Sequence, residues 1–84
     1  MTHDNFAWAL RLFSRRRPFL PYVVELNTGF RLVVLHPEAL MLRRELAVFV
    51  RRDYFTRLFD AASVTQLSDL PFEDPPPQIE PVSD

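Results

Sequence analysis

Three features that are missing from this 84-residue sequence limit the classes of protein to which it can belong. It has no cysteine, which excludes disulfide bonds and thiolate metal sites and gives no reason to expect an oxidising compartment. No apolar stretch approaches the ~20 residues of a transmembrane helix. The first ten residues lack the basic start and the long apolar segment of a secretory signal peptide. We therefore expect a cytoplasmic chain that does not enter a membrane.

Glycine and histidine are also scarce. The single glycine excludes a glycine-rich loop of the kind that cradles phosphates. Only two histidines are present, whereas a metal site needs three or four converging ligands. No serine has a histidine and an acidic residue at the spacing of a nucleophilic motif. The sequence therefore predicts a protein that is not an enzyme, with no catalytic residue, metal, cofactor or small-molecule substrate.

Lysine is absent, so all ten basic residues are arginines, and all of them precede residue 58. A GC-rich coding sequence explains this composition, and so does selection of arginine for its forked hydrogen bonding to phosphate or carboxylate. Residues 1–70 hold ten arginines against seven acidic residues, a net charge of +3. Residues 71–84 hold four acidic residues and no basic one. A mildly basic body with an acidic tail therefore underlies the net charge of -1.

The length allows one domain at most, which we place at residues 1–70. Residues 71–84 contain five of the eight prolines, four acidic residues and few apolar ones. Such a composition cannot repay the entropy of ordering, so we expect a solvated tail that is disordered or polyproline-like. We also expect this tail to cover the basic body until a partner displaces it. A proline-rich ligand for another domain is the alternative.

The periodicity of the first segment predicts a helix over about residues 4–16, with Asp4 as its N-cap and Pro18 as its stop. A second apolar pair, Trp8 and Leu12, faces a different side of this helix. Either Trp8 folds over the rim of the same core, or the pair forms a surface for a partner or for self-association. The side chains expected to enter the core are Phe6, Ala9, Leu10 and Phe13.

Alternating and apolar segments predict that strands fill about residues 19–69. Gly29 stands where a three-residue hairpin loop needs a positive φ, and Pro37 ends the second strand because it has no amide hydrogen to donate. Residues 61–63 suggest one turn of 3₁₀ helix. An alternative makes residues 38–49 helical, because good helix formers follow a favourably placed proline. The strand segments are 22–27, 30–35, 40–43, 46–51, 54–60 and 64–68.

The order of these elements is that of a small SH3-like or Sm-like barrel. A helix, a long hairpin and further short strands follow one another, with a one-turn 3₁₀ link before the last strand. We therefore expect a mainly β fold, α+β by strict count, in which an N-terminal helix precedes a five-stranded small barrel. Such a barrel protects most of its strand edges from pairing with other chains.

Short motifs within residues 17–68 resemble a family of short, uncharacterised bacterial proteins. The family pattern reads RPF-x-PF, then a turn with Asp-Gly or Asn-Gly, then V-x-HPE, and it closes with a segment like DL-x-x-VT-x-LE. This sequence departs at Asn27-Thr28-Gly29, where Asp-Gly is commoner, and at Ser68, where an acidic residue is usual. The resemblance implies a small barrel and no established activity. The matching residues are Arg17-Pro18-Phe19, Pro21-Tyr22, Gly29, Val34, His36-Pro37-Glu38 and residues 60–67.

His36 beside Glu38 is the only pair that suggests acid–base or metal chemistry. We interpret it as structural, with both side chains capping the end of a strand and bonding to nearby backbone. Together with Pro18, Gly29 and Pro37, these residues are predicted to shape the fold rather than to bind a ligand.

Two hypotheses for function follow. The first is a non-enzymatic interaction or regulatory module that binds a protein partner or itself through Trp8 and Leu12. The second is an Sm-like oligomer that binds RNA through arginine-bearing turns, with Tyr54 or Phe55 stacking on bases. A body charge of only +3 is weak for a nucleic-acid-binding protein and favours the first hypothesis. The predicted arginine rim consists of Arg15, Arg16, Arg17, Arg43, Arg44, Arg51 and Arg52.

Overall fold

One helix and two three-stranded antiparallel sheets make up residues 1–70, the part of the chain that the computed structural model describes. This arrangement confirms the predicted helix-plus-strand, mainly β composition. The predicted disordered tail, residues 71–84, lies outside the described residues. The elements are α1 His3–Ser14, β1 Tyr22–Leu26, β2 Arg31–Val34, β3 Leu40–Arg43, β4 Leu46–Val50, β5 Thr56–Asp60 and β6 Val64–Asp69, with 3₁₀ helices at Pro37–Ala39 and Ala61–Ser63.

β1 lies at the centre of the first sheet, between β2 and β6, and β4 lies at the centre of the second, between β3 and β5. The predicted five-stranded barrel is not confirmed, because six strands form two sheets and no strand pairing joins the sheets within residues 1–70. The chain crosses between the sheets twice, each time at a 3₁₀ helix. At the first crossing Pro37 has no N–H for a strand ladder, so the backbone turns instead of continuing from β2 into β3.

Residues 38–49 form mainly a hairpin, so the helical alternative for this segment is wrong. β3 pairs antiparallel with β4, with Leu40 opposite Phe49. Helical turning is confined to the 3₁₀ helix Pro37–Ala39 at the start of the segment. Leu40 and Phe49 are both buried in the core, and this tertiary burial outweighs the helix propensity of the intervening residues.

The ends of α1 differ from those expected. Thr2 rather than Asp4 is the N-cap, since its hydroxyl accepts a hydrogen bond from the Asn5 amide at 3.1 Å. Asp4 lies inside the first turn, where its carboxylate still suits the positive end of the helix dipole. The helix ends at Ser14, so Pro18 follows a connecting segment and does not itself stop the helix.

The core lies between α1 and the two sheets. Phe6 and Leu10 of α1 are buried, and Phe13 packs against the same cluster, as the periodicity predicted. The fourth predicted core residue, Ala9, is only half-buried and does not belong to this cluster. The fully buried Phe6 ring lies 6.2 Å from the ring of Phe59 on β5, which ties the helix to the second sheet. The buried cluster comprises Phe6, Leu10, Tyr22, Val24, Leu26, Leu32, Val34, Leu40, Ala47, Phe49, Phe59, Ala61 and Val64.

Tyr22 at the start of β1 ties the C-terminal end of α1 to the first sheet. Its side chain is fully buried, and its hydroxyl lies 3.3 Å from the hydroxyl of Ser14 on α1. The rings of Phe13 and Phe19 lie 5.0 and 6.1 Å from the Tyr22 ring. Burial raises the pKa of Tyr22 above its ordinary value of 10.0. The residue therefore acts as an aromatic anchor whose one polar atom has a partner.

Gly29 closes the turn between β1 and β2 with a φ of +94°, which confirms the positive φ expected there. Its amide donates to the Leu26 carbonyl at 2.9 Å, and the Leu26 amide donates to the Phe30 carbonyl at 2.8 Å. A Cβ added at Gly29 would meet no atom within 4 Å. The position therefore requires glycine for its backbone conformation and not for space.

We expect Gly29→Val to lower the free energy of unfolding by about 1–2 kcal/mol, because a β-branched residue is strained at this φ. Gly29→Asn should cost less, since asparagine tolerates positive φ better. Urea unfolding followed by tryptophan fluorescence or circular dichroism measures both. Equal stability of the two variants would show that backbone strain at this turn does not affect the free energy of unfolding.

Candidate binding surface

The outward face of α1 exposes a large aromatic side chain. Trp8 is 62% exposed and Leu12, one helical turn further on, is 49% exposed. Trp8 therefore does not fold over the rim of the core. Residues four apart on a helix are neighbours on its surface, so the two side chains form one apolar pair, the Trp8–Leu12 face. The opposite side of the same helix holds Phe6 and Leu10 in the core, which fixes the direction in which this face points.

An open concavity of about 470 Å³ lies between α1 and β3. We call it the α1–β3 groove. Its lining combines apolar side chains of α1 and β3, including Leu10 and Met41, with three arginines, Arg11, Arg15 and Arg43. None of the three arginines is paired with a carboxylate of residues 1–70. The groove is therefore a positively charged cleft with an apolar lining.

The predicted arginine rim is distributed over more than one place. Arg15 and Arg43 line the α1–β3 groove, whereas Arg51 and Arg52 line a separate concavity of about 80 Å³ beside His36. These concavities share no lining residue.

The other three members of the predicted rim line neither concavity. The Arg16 guanidinium contacts the Asp69 carboxylate at 2.6 Å and lies over the Phe13 ring at 4.7 Å. Arg17 is exposed in the connection after α1. Arg44 has a φ of 58° in the turn between β3 and β4, and its carbonyl accepts a hydrogen bond from a ring nitrogen of His3 at 2.8 Å.

The turn between β4 and β5 is built around one carboxylate. Asp53 contacts the Arg51 guanidinium at 2.9 Å and accepts a hydrogen bond from the Phe55 amide at 3.1 Å. The Arg51 guanidinium also lies over the Phe55 ring, 4.5 Å from its centroid. Tyr54 has a φ of 70° and is 87% exposed, and Arg52 beside the turn is exposed too. The turn therefore holds Arg51 in place and projects Tyr54 and Arg52 into solvent.

His36 and Glu38 do not form the side-chain caps that we expected. His36 makes no side-chain cap hydrogen bond, and its carbonyl instead accepts from the Ala39 amide at 3.0 Å. The turn begins with Pro37, whose fixed φ suits the first helical position, so the backbone alone can shape it. No group of three or more histidine, cysteine or acidic residues that could hold a metal ion occurs within residues 1–70.

Sequence reasoning missed Arg11 and Met41 as surface residues of interest. Arg11 stands four positions before Arg15, so helical spacing alone places their side chains on one face. Met41 could not be placed from its own pattern, because its position against α1 depends on packing between distant segments.

Comparison with known proteins gives no family assignment, since no protein-family model, curated protein or solved structure matches the chain. No helix within the described residues is long and apolar enough to cross a membrane. The functional proposals therefore rest on the geometry of the surfaces described above.

Because the pKa of Asp53 is lowered in the folded protein, we expect the protein to lose stability in acid. The pKa of Asp53 is lowered from its ordinary 3.8, chiefly by its hydrogen bond with Arg51 and then by the Phe55 amide. A depressed pKa in the folded state adds stability above the unfolded-state pKa, and that stability is lost as the pH falls through the folded-state value. Unfolding titrations from about pH 5 downward should therefore show a shallower decline for Asp53→Asn than for the unaltered protein.

Glu45→Gln removes the same charge from an exposed side chain outside this turn and serves as the control. A decline for Asp53→Asn as steep as that of the unaltered protein would contradict the role assigned to this turn.

Proposed function

We propose that the protein is a small, non-enzymatic binding module that recognises another protein molecule, a different protein or a second copy, through the Trp8–Leu12 face. The observation that carries this proposal is the exposure of Trp8, 62%, on a helix whose other side is fixed in the core. Tryptophan is enriched among residues that dominate protein–protein binding energy, because it buries a large ring while its N–H can still find a partner.

The rigidity of the helix supports the same proposal. The aromatic contacts of Phe6 and Phe13 hold α1 against both sheets, so its outward side chains are presented on a fixed backbone. A preformed surface loses less conformational entropy on binding than a segment that must first order. A partner would gain apolar contact with Trp8 and Leu12 at this reduced cost.

We expect Trp8→Ala to weaken partner binding at least tenfold while leaving stability nearly unchanged, because loss of a dominant interface side chain costs about 2 kcal/mol or more. A photo-crosslinking residue placed at Leu12 should capture a partner chain in cells, and Trp8→Ala should abolish the capture. Mass spectrometry of the crosslinked species distinguishes a second copy from a different protein.

Leu58 provides the matched control, because it is 56% exposed and lies on β5 rather than on α1. The same crosslinker at Leu58 should give no specific product. Identical products from positions 12 and 58, or no product from either, would overturn the proposed face.

A second candidate is RNA binding by an Sm-like oligomer through the arginine-bearing turns. It is favoured by Tyr54, which is 87% exposed beside the exposed Arg52. Exposed aromatic rings next to arginines suit stacking on unpaired bases and contact with phosphates. The helix-first order of elements and the 3₁₀ helix before β6 support an SH3-like or Sm-like relationship, and the short motifs in residues 17–68 support the resemblance to small bacterial proteins.

If this second candidate holds, Arg52→Gln with Tyr54→Gly should lower affinity for single-stranded RNA, because stacking is worth about 1–3 kcal/mol per base. Glycine is chosen at position 54 because it accepts the φ of 70° without strain. Fluorescence anisotropy with a labelled oligonucleotide between about 50 and 200 mM salt measures the affinity and its salt dependence.

Arg31→Gln removes the same type of charge from β2, outside the predicted rim, and serves as the control. Equal affinity of the double variant and of this control for RNA would exclude the turn as the binding site.

A further inference from the structure

We propose that the α1–β3 groove is a second binding surface, which takes an extended, acidic segment of a partner protein. The recognition chemistry is carboxylate against guanidinium, with apolar contacts between the charges. The proposal stands on the groove alone and goes beyond the Trp8–Leu12 face, so a test can exclude either surface without excluding the other.

The charges that line the groove have one sign. Arg11 and Arg15 line it from α1 and Arg43 lines it from β3, and all three residues are exposed. Within residues 1–70 no salt bridge engages them and no acidic side chain lines the groove. Guanidinium groups bind carboxylates through paired, charge-assisted hydrogen bonds. The groove therefore attracts an anionic ligand and repels a basic one.

The two walls of the groove are held in place by the rest of the fold. Leu10 of α1 and Leu40 of β3 both belong to the buried core, so each wall is anchored from below. A ring nitrogen of His3 lies 2.8 Å from the Arg44 carbonyl, which joins the start of α1 to the turn after β3. A preformed site loses less conformational entropy on binding than one that must first order. The groove can therefore bind a short segment without rearranging.

The spacing of the side chains on both walls matches that of an extended chain. Arg11 and Arg15 stand one helical turn apart, roughly 6 Å along α1. Met41 and Arg43 are alternate residues of β3 and lie roughly 6.6 Å apart on one side of the strand. Alternate side chains of an extended segment have this same spacing, and their neighbours point the opposite way. One side of such a segment can therefore contact the two arginines of α1 while its other side contacts Met41 and Arg43.

The lining of the groove favours a peptide over a nucleic acid. Ala7, Met41 and Leu42 share the lining with the arginines, and Met41 is 42% exposed. No aromatic side chain of residues 1–70 lines the groove, whereas proteins that bind single-stranded nucleic acid stack bases on aromatic rings. A protein segment can supply carboxylates and apolar side chains together, so it complements both parts of the lining.

The probe is a fluorescently labelled peptide with blocked ends and the core Leu-Glu-Glu-Glu-Leu. Its outer glutamates would contact Arg11 and Arg15, and its central glutamate would contact Arg43 with a leucine beside Met41. The control peptide, Glu-Leu-Glu-Leu-Glu, has the same composition and charge, but its glutamates all lie on one side of an extended chain. Fluorescence anisotropy with the full-length protein should show the probe binding about two- to fivefold more tightly than the control, because one more ion pair forms. Added salt should weaken the binding of both peptides.

Amide spectra of the isotope-labelled full chain locate the bound probe without any substitution. Addition of the probe should shift the amides of Arg11, Arg15, Met41 and Arg43. Shifts that leave these amides unchanged, or no binding of the probe at all, would overturn the proposal.

Loss of the groove arginines tests the same contacts from the side of the protein. Arg11→Gln, Arg15→Gln and Arg43→Gln together should lower the affinity for the probe about tenfold or more. A matched variant that loses as many arginines outside the groove should lower it less than about twofold, because salt screens distant charges. An equal loss of affinity in the two variants, or equal affinity of the unaltered protein for the two peptides, would overturn the proposal. The substitutions of the matched variant are Arg17→Gln, Arg31→Gln and Arg52→Gln.

Competing occupants of the groove give different results. Groove amides that shift with protein concentration in the absence of peptide would overturn the proposal in favour of a second copy. A single-stranded RNA of equal charge that binds the groove more tightly than the probe would overturn it in favour of nucleic acid. Trp8→Ala should leave the affinity for the probe unchanged, so failure of the Trp8–Leu12 face is distinguishable from failure of the groove. A loss of probe affinity in Trp8→Ala as large as that in the groove variant would overturn the proposal that the groove binds on its own.

Discussion

The burial of Tyr22 between α1 and the first sheet constrains the rest of the structure. Tyr22 begins β1, the central strand of that sheet, and its ring contacts Phe13 of the helix and Phe19 of the connecting segment. Its hydroxyl reaches Ser14, so the one polar atom of the side chain is not left without a partner in the interior. Because these contacts lie at the C-terminal end of α1 and Phe6 is buried nearer its start, the helix is fixed along its length.

The fixed position of α1 determines two surfaces of the protein, the Trp8–Leu12 face and the α1–β3 groove. A helix that buries Phe6 and Leu10 must turn Trp8 and Leu12 outward, since the pairs lie on different sides of the same cylinder. The same placement sets α1 beside β3 and creates the positively charged groove between them. The apolar face and the charged groove therefore both result from the packing of α1, and they lie next to each other. A ligand bound to one would lie close to the other.

Local patterns predicted the elements better than their assembly. Periodicity identified the buried face of α1, and the single glycine identified the turn with a φ of +94°. The division into two sheets was not predictable, because β1 pairs with β6 across a long separation in sequence that no local pattern encodes. The arginines were predicted to form one rim, yet Arg15 and Arg51 line different concavities, since their distance apart depends on how the sheets pack.

Hydrogen exchange of individual amides, measured across a range of denaturant concentrations, tests most directly whether α1 is fixed to the sheet. The account predicts that Leu10 on α1 and Val24 on β1 open with free energies equal to within about 1 kcal/mol, because helix and sheet unfold as one unit. Free energies that differ by several kcal/mol, with α1 opening first, would contradict it. The Trp8–Leu12 face would then belong to a helix that detaches from the core, and a fixed binding surface could not be maintained.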